Sequence, residues 1–298
     1  MPAIELLCPV WPAPAHVVAG VTTRVGGNSR APYASLNLAQ HVADQESDVN
    51  SNRAQLKRFC RDELCASRRH PNPVQQWYWL QQTHSNRVLD LDLLQQPTQQ
   101  APRADAAITS KSQRVCVVLT ADCLPILLCD RNGTRVCTIH AGWRGLLNGI
   151  VDNAVQAMCK KGEPGGQQSA SGQHKASGQL LAWLGPAIGP QHFIVGDDVR
   201  RAALHYFSRR EHPGHSTQAG TPLACERAFV QLPGPAVASE VKYAADLYQL
   251  ATLALHRSGV RHIYGGGFCT ASDAQRFFSY RRDGTTGRMA SFILLNRD

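Results

Sequence analysis

Two short apolar runs, each leading into a side chain capable of chemistry, constrain this chain more than any other feature. Val115-Cys-Val-Val-Leu119 runs into Thr120-Ala-Asp-Cys-Leu-Pro125, and Val136-Cys-Thr-Ile139 runs into His140-Ala-Gly-Trp-Arg-Gly145. Apolar stretches this short and this rich in β-branched residues read as buried strands. A buried strand that ends in a reactive side chain, then turns through glycine into a helix, is where α/β proteins place their chemistry. Cys123 and His140 are therefore expected at one rim, with a helix starting near Leu146. Trp79-Leu-Gln-Gln-Thr-His84 supplies a third candidate, His84, at the end of an aromatic-apolar segment.

The chain is long enough, at 298 residues, to bury a full core. Its 43% hydrophobic and 18% charged content excludes a disordered chain. A net charge of +9 favours an anionic partner, yet the arginine pairs at 68–69, 200–201, 209–210 and 281–282 are scattered. With no aromatic-basic motif, an anionic small molecule is favoured over nucleic acid. The ten cysteines form no CxxC pair and no leader segment is visible, which points to reduced thiols in a cytoplasmic protein. Cys116, Cys129 and Cys137 lie inside apolar runs, where a thiol packs as a small hydrophobe. The longest apolar region, 115–129, is broken by Asp122 and Pro125, so no membrane span is expected.

Helical spacing is predicted over Asp48–Cys60, from about Leu146 to Met158, from Asp197 to about Phe207, and over Tyr243–His256. Strands are predicted at Leu180–Leu184, Val260–Tyr264 and Met289–Leu295. Residues 162–178 and 208–222 read as flexible insertions, polar and without an apolar period. No repeat and no linker divides the chain, so 1–298 is expected to form one α/β body.

His84, Cys123 and His140 fit a zinc triad, since two imidazoles and a thiolate leave one tetrahedral position open. A Cys–His nucleophile pair is the competing reading, with Cys123 as thiolate, His140 as base, and Asp105 or Asp122 orienting the imidazole. The absence of any His-x-His argues against a multicopper site, and the His-x-Glu and Pro-Cys-x-x-Cys signature of cytidine-type deaminases is absent as well. Arg144, near a helix N-terminus, suits an anion. Arg281 lies in an ordered aromatic-flanked loop, Asn37 has the character of a turn residue, and His212 and His215 stand in a polar loop.

Further motifs occur in a fixed order: Gly20-Val-Thr-Thr-Arg-Val-Gly-Gly27, Ser35-Leu-Asn-Leu38, Gln82-Thr-His84, Ala104-Asp-Ala106, Leu184-Gly-Pro-Ala-Ile-Gly-Pro190 and Phe277-Phe-Ser-Tyr-Arg-Arg-Asp-Gly284. With the two central motifs they closely resemble the bacterial YfiH family, also described as polyphenol-oxidoreductase laccase-like or purine nucleoside phosphorylase, over about residues 20 to 295. The resemblance implies a single α/β (α+β) domain of mixed β-sheets sandwiched by outer helices, similar to the deamidase domain of a necrotising toxin. It implies zinc at His84, Cys123 and His140, which are also the expected catalytic residues; on the reading of the residues themselves, Arg144, Asn37 and Arg281 are the expected substrate or anion contacts. It implies phosphorolysis of adenosine, inosine, guanosine and methylthioadenosine, together with adenosine deamination, so the partners expected are purine nucleosides and phosphate. Alternatives carried by the same family are a Cys-dependent hydrolase or amidase editing peptidoglycan precursors, and copper-dependent polyphenol oxidation. The chain departs from the family pattern at Ile194, where a Glu is usual, and in a longer 162–178 insertion.

Overall fold

Val115, Val117 and Leu119 alternate with Cys116 and Val118, and all five are buried. Such a strand needs an apolar layer on both faces. In a computed structural model, which describes residues 3–65, 76–94, 100–112, 114–160, 177–209, 221–233 and 241–297, two large sheets lie face to face and helices cover their outer sides. The strands are β1 (Leu6–Leu7), β2 (Val17–Thr22), β3 (Gln76–Tyr78), β4 (Val88–Asp90), β5 (Ala106–Thr109), β6 (Arg114–Thr120) and β7 (Leu124–Asp130). They continue with β8 (Val136–Ala141), β9 (Leu180–Leu184), β10 (Ile194–Gly196), β11 (Phe229–Gln231), β12 (Lys242–Ala245), β13 (His262–Gly265) and β14 (Met289–Leu295). The helices are α1 (Glu46–Phe59), α2 (Trp143–Leu147), α3 (Ile150–Cys159), α4 (Asp197–Ser208), α5 (Thr221–Glu226), α6 (Leu247–Arg257) and α7 (Tyr280–Asp283).

One sheet has the order β1-β2-β14-β6-β3 and the other β13-β9-β7-β8-β5-β4, while β10-β12-β11 form a small third sheet. Both large sheets mix parallel and antiparallel pairs. Cys116, Val118, Leu127, Cys129, Val136 and Ile293 fill the layer between them. The opposite face of the first sheet, with Val115, Val117 and Leu119, packs on Leu56 and Cys60 at the α1 side. The opposite face of the second, with Ile126, Leu128 and Ile139, packs on α3, α4 and α6 through Ile150, Val155, Phe207 and Leu250. Two-sided burial thus explains the unbroken apolar runs, and the fold is the mixed α/β class expected from the sequence.

Several boundaries differ from the sequence reading. The helix after His140 begins at Trp143 and is interrupted at Gly149, whose φ of 88° only glycine adopts readily. Tyr243 belongs to β12, not to a helix. Asp246 sets the true start of α6 by accepting a hydrogen bond from the Gln249 N–H. Helix α4 starts at Asp197 as expected, with Gly196 as its N-cap. Cys123 precedes a second strand rather than a helix, because Leu124-Pro-Ile-Leu-Leu-Cys-Asp130 crosses into the other sheet. Most of the 162–178 and 208–222 insertions, and His212 and His215 with them, lie outside the described residues. No helix among the described residues is long and apolar enough to cross a membrane.

Candidate metal centre

Strand register assembles the site. Ala106 pairs with Ile139 across β5 and β8, so the next position places Asp105 opposite His140, and the His140 N–H donates to the Asp105 carbonyl at 2.7 Å. Leu124 pairs with Ala141 across β7 and β8, which puts Cys123 opposite Gly142. Ile139 and Ala141 face the helical layer, so His140 points the other way. His84 arrives from the loop after β3, with a left-handed φ of 57°.

One carboxylate holds two of these residues. Asp105, fully buried, accepts from the backbone N–H groups of Thr83 (3.2 Å), His84 (3.0 Å) and Ser85 (2.7 Å), and from the Ser85 hydroxyl (2.7 Å). It also lies 2.8 Å from His140 Nδ1, which turns Nε2 toward Cys123. Burial alone pushes the Asp105 carboxyl up, but hydrogen bonds from His140 and Ser85 outweigh it and hold it at about 2. Cys123 Sγ is 3.6 Å from His84 Nε2. Burial raises its thiol as well, yet the neighbouring His140 and His84 imidazoles bring it down to about 6. His140 moves the opposite way: burial lowers it, and the Cys123 thiolate and Asp105 raise it to about 9.

The donor atoms of His84, Cys123 and His140 lie within 4.8 Å of one another. Two independent features fit this set to a metal ion. The carboxylate–histidine contact at Asp105 is the usual outer support of a metal-bound imidazole. The second is the space kept open by Gly142, where a Cβ would stand 2.8 Å from Cys123 Sγ and 2.6 Å from His84 Cδ2. Among the described residues, no other His, Cys, Asp or Glu group converges in this way.

Asp122, the other carboxylate considered for orienting the imidazole, does a different job. Its Oδ1 accepts from the Thr270 hydroxyl and its Oδ2 from the Arg281 N–H, both at 2.6 Å, and its carbonyl accepts from the Ile188 N–H at 2.9 Å. It ties three loops to the turn that presents Cys123, at the cost of a positive φ of 93°.

The donors floor a cavity of about 450 Å³, whose walls include His41, Gln82, Trp143, Arg144, Phe193, Tyr280, Arg281 and Arg288. Arg144 is exposed and stacks over Trp143 with its guanidinium carbon 4.5 Å from the ring centre. Arg281 also lines the cavity, and its guanidinium donates to the His192 carbonyl at 2.8 Å. Asn37 does not line it. This fully buried amide accepts from the N–H groups of Ala39 and Arg288 and donates to Ala39 O and Asp44, so it fastens the wall from behind. Ile194 lies on β10, where its carbonyl receives a bond from Arg281. His41 and Arg288 escaped the sequence reading, since neither ends an apolar run. A larger cavity of about 990 Å³ opens beside Tyr248 and Cys269, but it holds no converging donor set.

Comparison with known proteins agrees with this architecture. Residues 18–296 match the family model described as multi-copper polyphenol oxidoreductase laccase. A protein of Shigella flexneri named purine nucleoside phosphorylase YfiH is 40% identical over 98% of this chain and 99% of its own length. A purine nucleoside phosphorylase of Pseudomonas aeruginosa is 41% identical over 97% of this chain and 98% of its own. Among solved structures, Neisseria meningitidis protein NMB0706 superposes with a TM-score of 0.74 at 38% identity, covering 98% of this chain and 99% of its own. YlmD from Geobacillus stearothermophilus gives 0.72 at 30% identity, covering 96% and 94%. By sequence over nearly its whole length and by fold, the chain belongs to the YfiH family of laccase-described proteins.

Proposed function

We propose that the protein is a zinc-dependent purine nucleoside phosphorylase that also deaminates adenosine, taking adenosine, inosine, guanosine and methylthioadenosine. The observation that carries this reading is the convergence of two imidazoles and one thiol on the floor of a cavity with cationic and aromatic walls. Relatives with the phosphorylase name, about as long as this chain, support the reaction class. The whole chain is proposed to work as one catalytic unit in the cytoplasm.

His84, Cys123 and His140 would hold the zinc. Bound there, zinc supplies Lewis acidity toward a substrate oxygen or water, with one position left for it. The protein's own contribution is binding and orientation. Phe193, Trp143 and Tyr280 offer faces for a purine. Arg144, Arg281 and Arg288 offer guanidinium N–H groups to phosphate, neutralising its charge as it approaches. In phosphorolysis a phosphate oxygen bonds to ribose C1′ while the C1′–N9 bond breaks, and the purine leaves with that electron pair and gains a proton. In deamination water adds at purine C6 and the amino group departs as ammonia. Holding both reactants in one small cavity provides much of the rate. Adenine released from adenosine only when phosphate is present, and lost in Cys123→Ala, is the expected result; turnover unchanged in a metal-free Cys123→Ala protein would refute it.

A second reading is favoured by the hydrogen-bonded Asp105–His140 pair beside a thiol held at about 6. That arrangement also suits a metal-independent cysteine hydrolase or amidase acting on a cell-wall precursor. A chelator separates the two, abolishing the first activity and sparing the second. Multicopper polyphenol oxidation needs several donor groups, whereas one group of three converges among the described residues.

A further inference from the structure

Deamination moves protons as well as nitrogen, and a group in the metal cavity has to carry them. Most of the titratable lining is already committed. His84, Cys123 and His140 are the metal donors, and Nδ1 of His140 is held by Asp105. Asp122, the one carboxylate on the wall among the described residues, has both oxygens occupied at 2.6 Å, by the Thr270 hydroxyl and by the Arg281 N–H. Guanidinium groups keep their protons, and a phenol, as at Tyr280, is a poor proton acceptor.

His41 is left. Its imidazole lines the same cavity as the three donors, and it makes no hydrogen bond or ion pair among the described residues. The residues on either side of it are fixed. Gln40 Nε2 donates to Asn50 Oδ1 at 3.2 Å, and the Tyr33 hydroxyl donates to the Val42 carbonyl at 2.5 Å. Asn37 braces the same loop, its amide donating to Asp44 Oδ2 at 2.9 Å and accepting from the Ala39 N–H at 3.0 Å. Ala43 takes a left-handed φ of 64°, a conformation costly for a residue other than glycine. A loop secured on both sides of an unbonded imidazole presents that imidazole to whatever enters the cavity.

Resting on the deamination reading above, we propose that His41 is its proton carrier, a catalytic residue beside the three metal donors. His41 takes one proton from the attacking water as the water oxygen bonds to purine C6. It passes that proton to N1, which receives the electron pair of the C6–N1 double bond. It then takes the remaining hydroxyl proton and hands it to the amino nitrogen as the C6–N bond breaks and the C6 carbonyl forms. Ammonia leaves with the bonding pair, and the imidazole ends neutral, as it began. An imidazole suits this task because it both accepts and donates a proton near neutral pH. Partial burial, then the Arg288 and Arg53 guanidinium groups and the His140 imidazole, lower its pKa, which favours the proton-accepting form. Deaminases of the cytidine type give this work to the glutamate of a His-x-Glu signature. The chain has no His-x-Glu, so the work falls to a residue outside the ligand motifs.

The test compares zinc-loaded wild type, His41→Gln and His41→Glu, each checked for melting temperature and zinc content. Inosine formation is followed from adenosine and from 6-chloropurine riboside, whose chloride leaves C6 without needing a proton. His41→Gln should keep its zinc and lose about 100-fold or more in kcat on adenosine, with a loss at least about tenfold smaller on the chloro substrate. His41→Glu should recover part of the adenosine rate, since a carboxylate can carry the same proton. Adenosine turnover undiminished in His41→Gln would overturn the proposal and leave the deamination reading in place. An equal loss on both substrates would overturn it as well, because His41 would then support the cavity without moving the proton. No inosine from zinc-loaded wild type would remove the deamination reading itself, and the proposal with it.

Discussion

The rim and the interior of this protein hold the same side chain in opposite chemical states. Cys116, Cys129 and Cys137 lie in or beside the layer between the two large sheets, and burial pushes their thiols up, Cys129 to about 12. Cys123, one turn away at the rim, is held at about 6 because two imidazoles adjoin it. Desolvation raises all four, so position alone does not make a ligand or a nucleophile. What separates them is a nearby group that stabilises the thiolate. The same contrast divides the two aspartates of the rim. Asp105 supports the donors, while Asp122 supports the turn that carries one of them.

The largest effect should come from the cysteines themselves. Cys123→Ala is expected to lose stoichiometric zinc and turnover together, whereas Cys129→Ala should keep its zinc and lose about 1–2 kcal/mol of stability from a small cavity. Elemental analysis and denaturant melts check both halves, and equal zinc content in the two variants would erase the distinction drawn here. Gly142→Ala comes next. The added methyl would press on Cys123 Sγ and His84, and chelator competition should show zinc held at least about tenfold more weakly.

Asp105→Asn should weaken zinc by about 10- to 100-fold, with a second signature in acid. The Asp105 carboxyl is depressed from 3.8 to about 2, so in metal-free protein it contributes stability at pH values above 3.8. That contribution is lost as pH falls through about 2, and it should be missing from an acid melt of the Asn variant. For the thiols, alkylation of metal-free protein by iodoacetamide should rise at Cys123 through about pH 6 and remain slow at Cys129, as peptide mapping will show. The smallest catalytic effect is expected at Asn37. Asn37→Ala should cost about 1–3 kcal/mol by stranding buried partners, with KM little changed once the variant is folded.

Much of the rim was legible in the sequence because the chain marks it with abrupt changes of polarity. Cys123 and His140 each follow an unbroken apolar run, Cys123 in the turn after β6 and His140 as the next-to-last residue of β8. His84 follows an aromatic segment in the same manner. The layered α/β architecture was legible from the same runs, since they require cover on both faces. Asp105 and Asp122 could not be told apart, because each is simply an aspartate beside a motif and only strand register decides which one faces His140. His41 and Arg288 were silent for a related reason: single cations on loops carry no periodic signal. Tyr243 was misplaced in a helix because its apolar neighbours also suit the small antiparallel sheet, where β12 pairs with β10 and β11. The break at Gly149 was hidden because Ile150, Val151 and Ala154 continue the helical period across it.

The central claim is that the three rim donors hold a metal on which nucleoside chemistry depends. Its most direct test is adenine and inosine release from adenosine, with and without phosphate, by protein whose zinc content has been assayed. The same assay is run after chelation, after zinc is restored, and on Cys123→Ala. The account predicts phosphate-dependent adenine release that disappears with the zinc, returns when it is restored, and never appears in Cys123→Ala. Full activity in zinc-depleted protein, or in a folded Cys123→Ala variant, would contradict it.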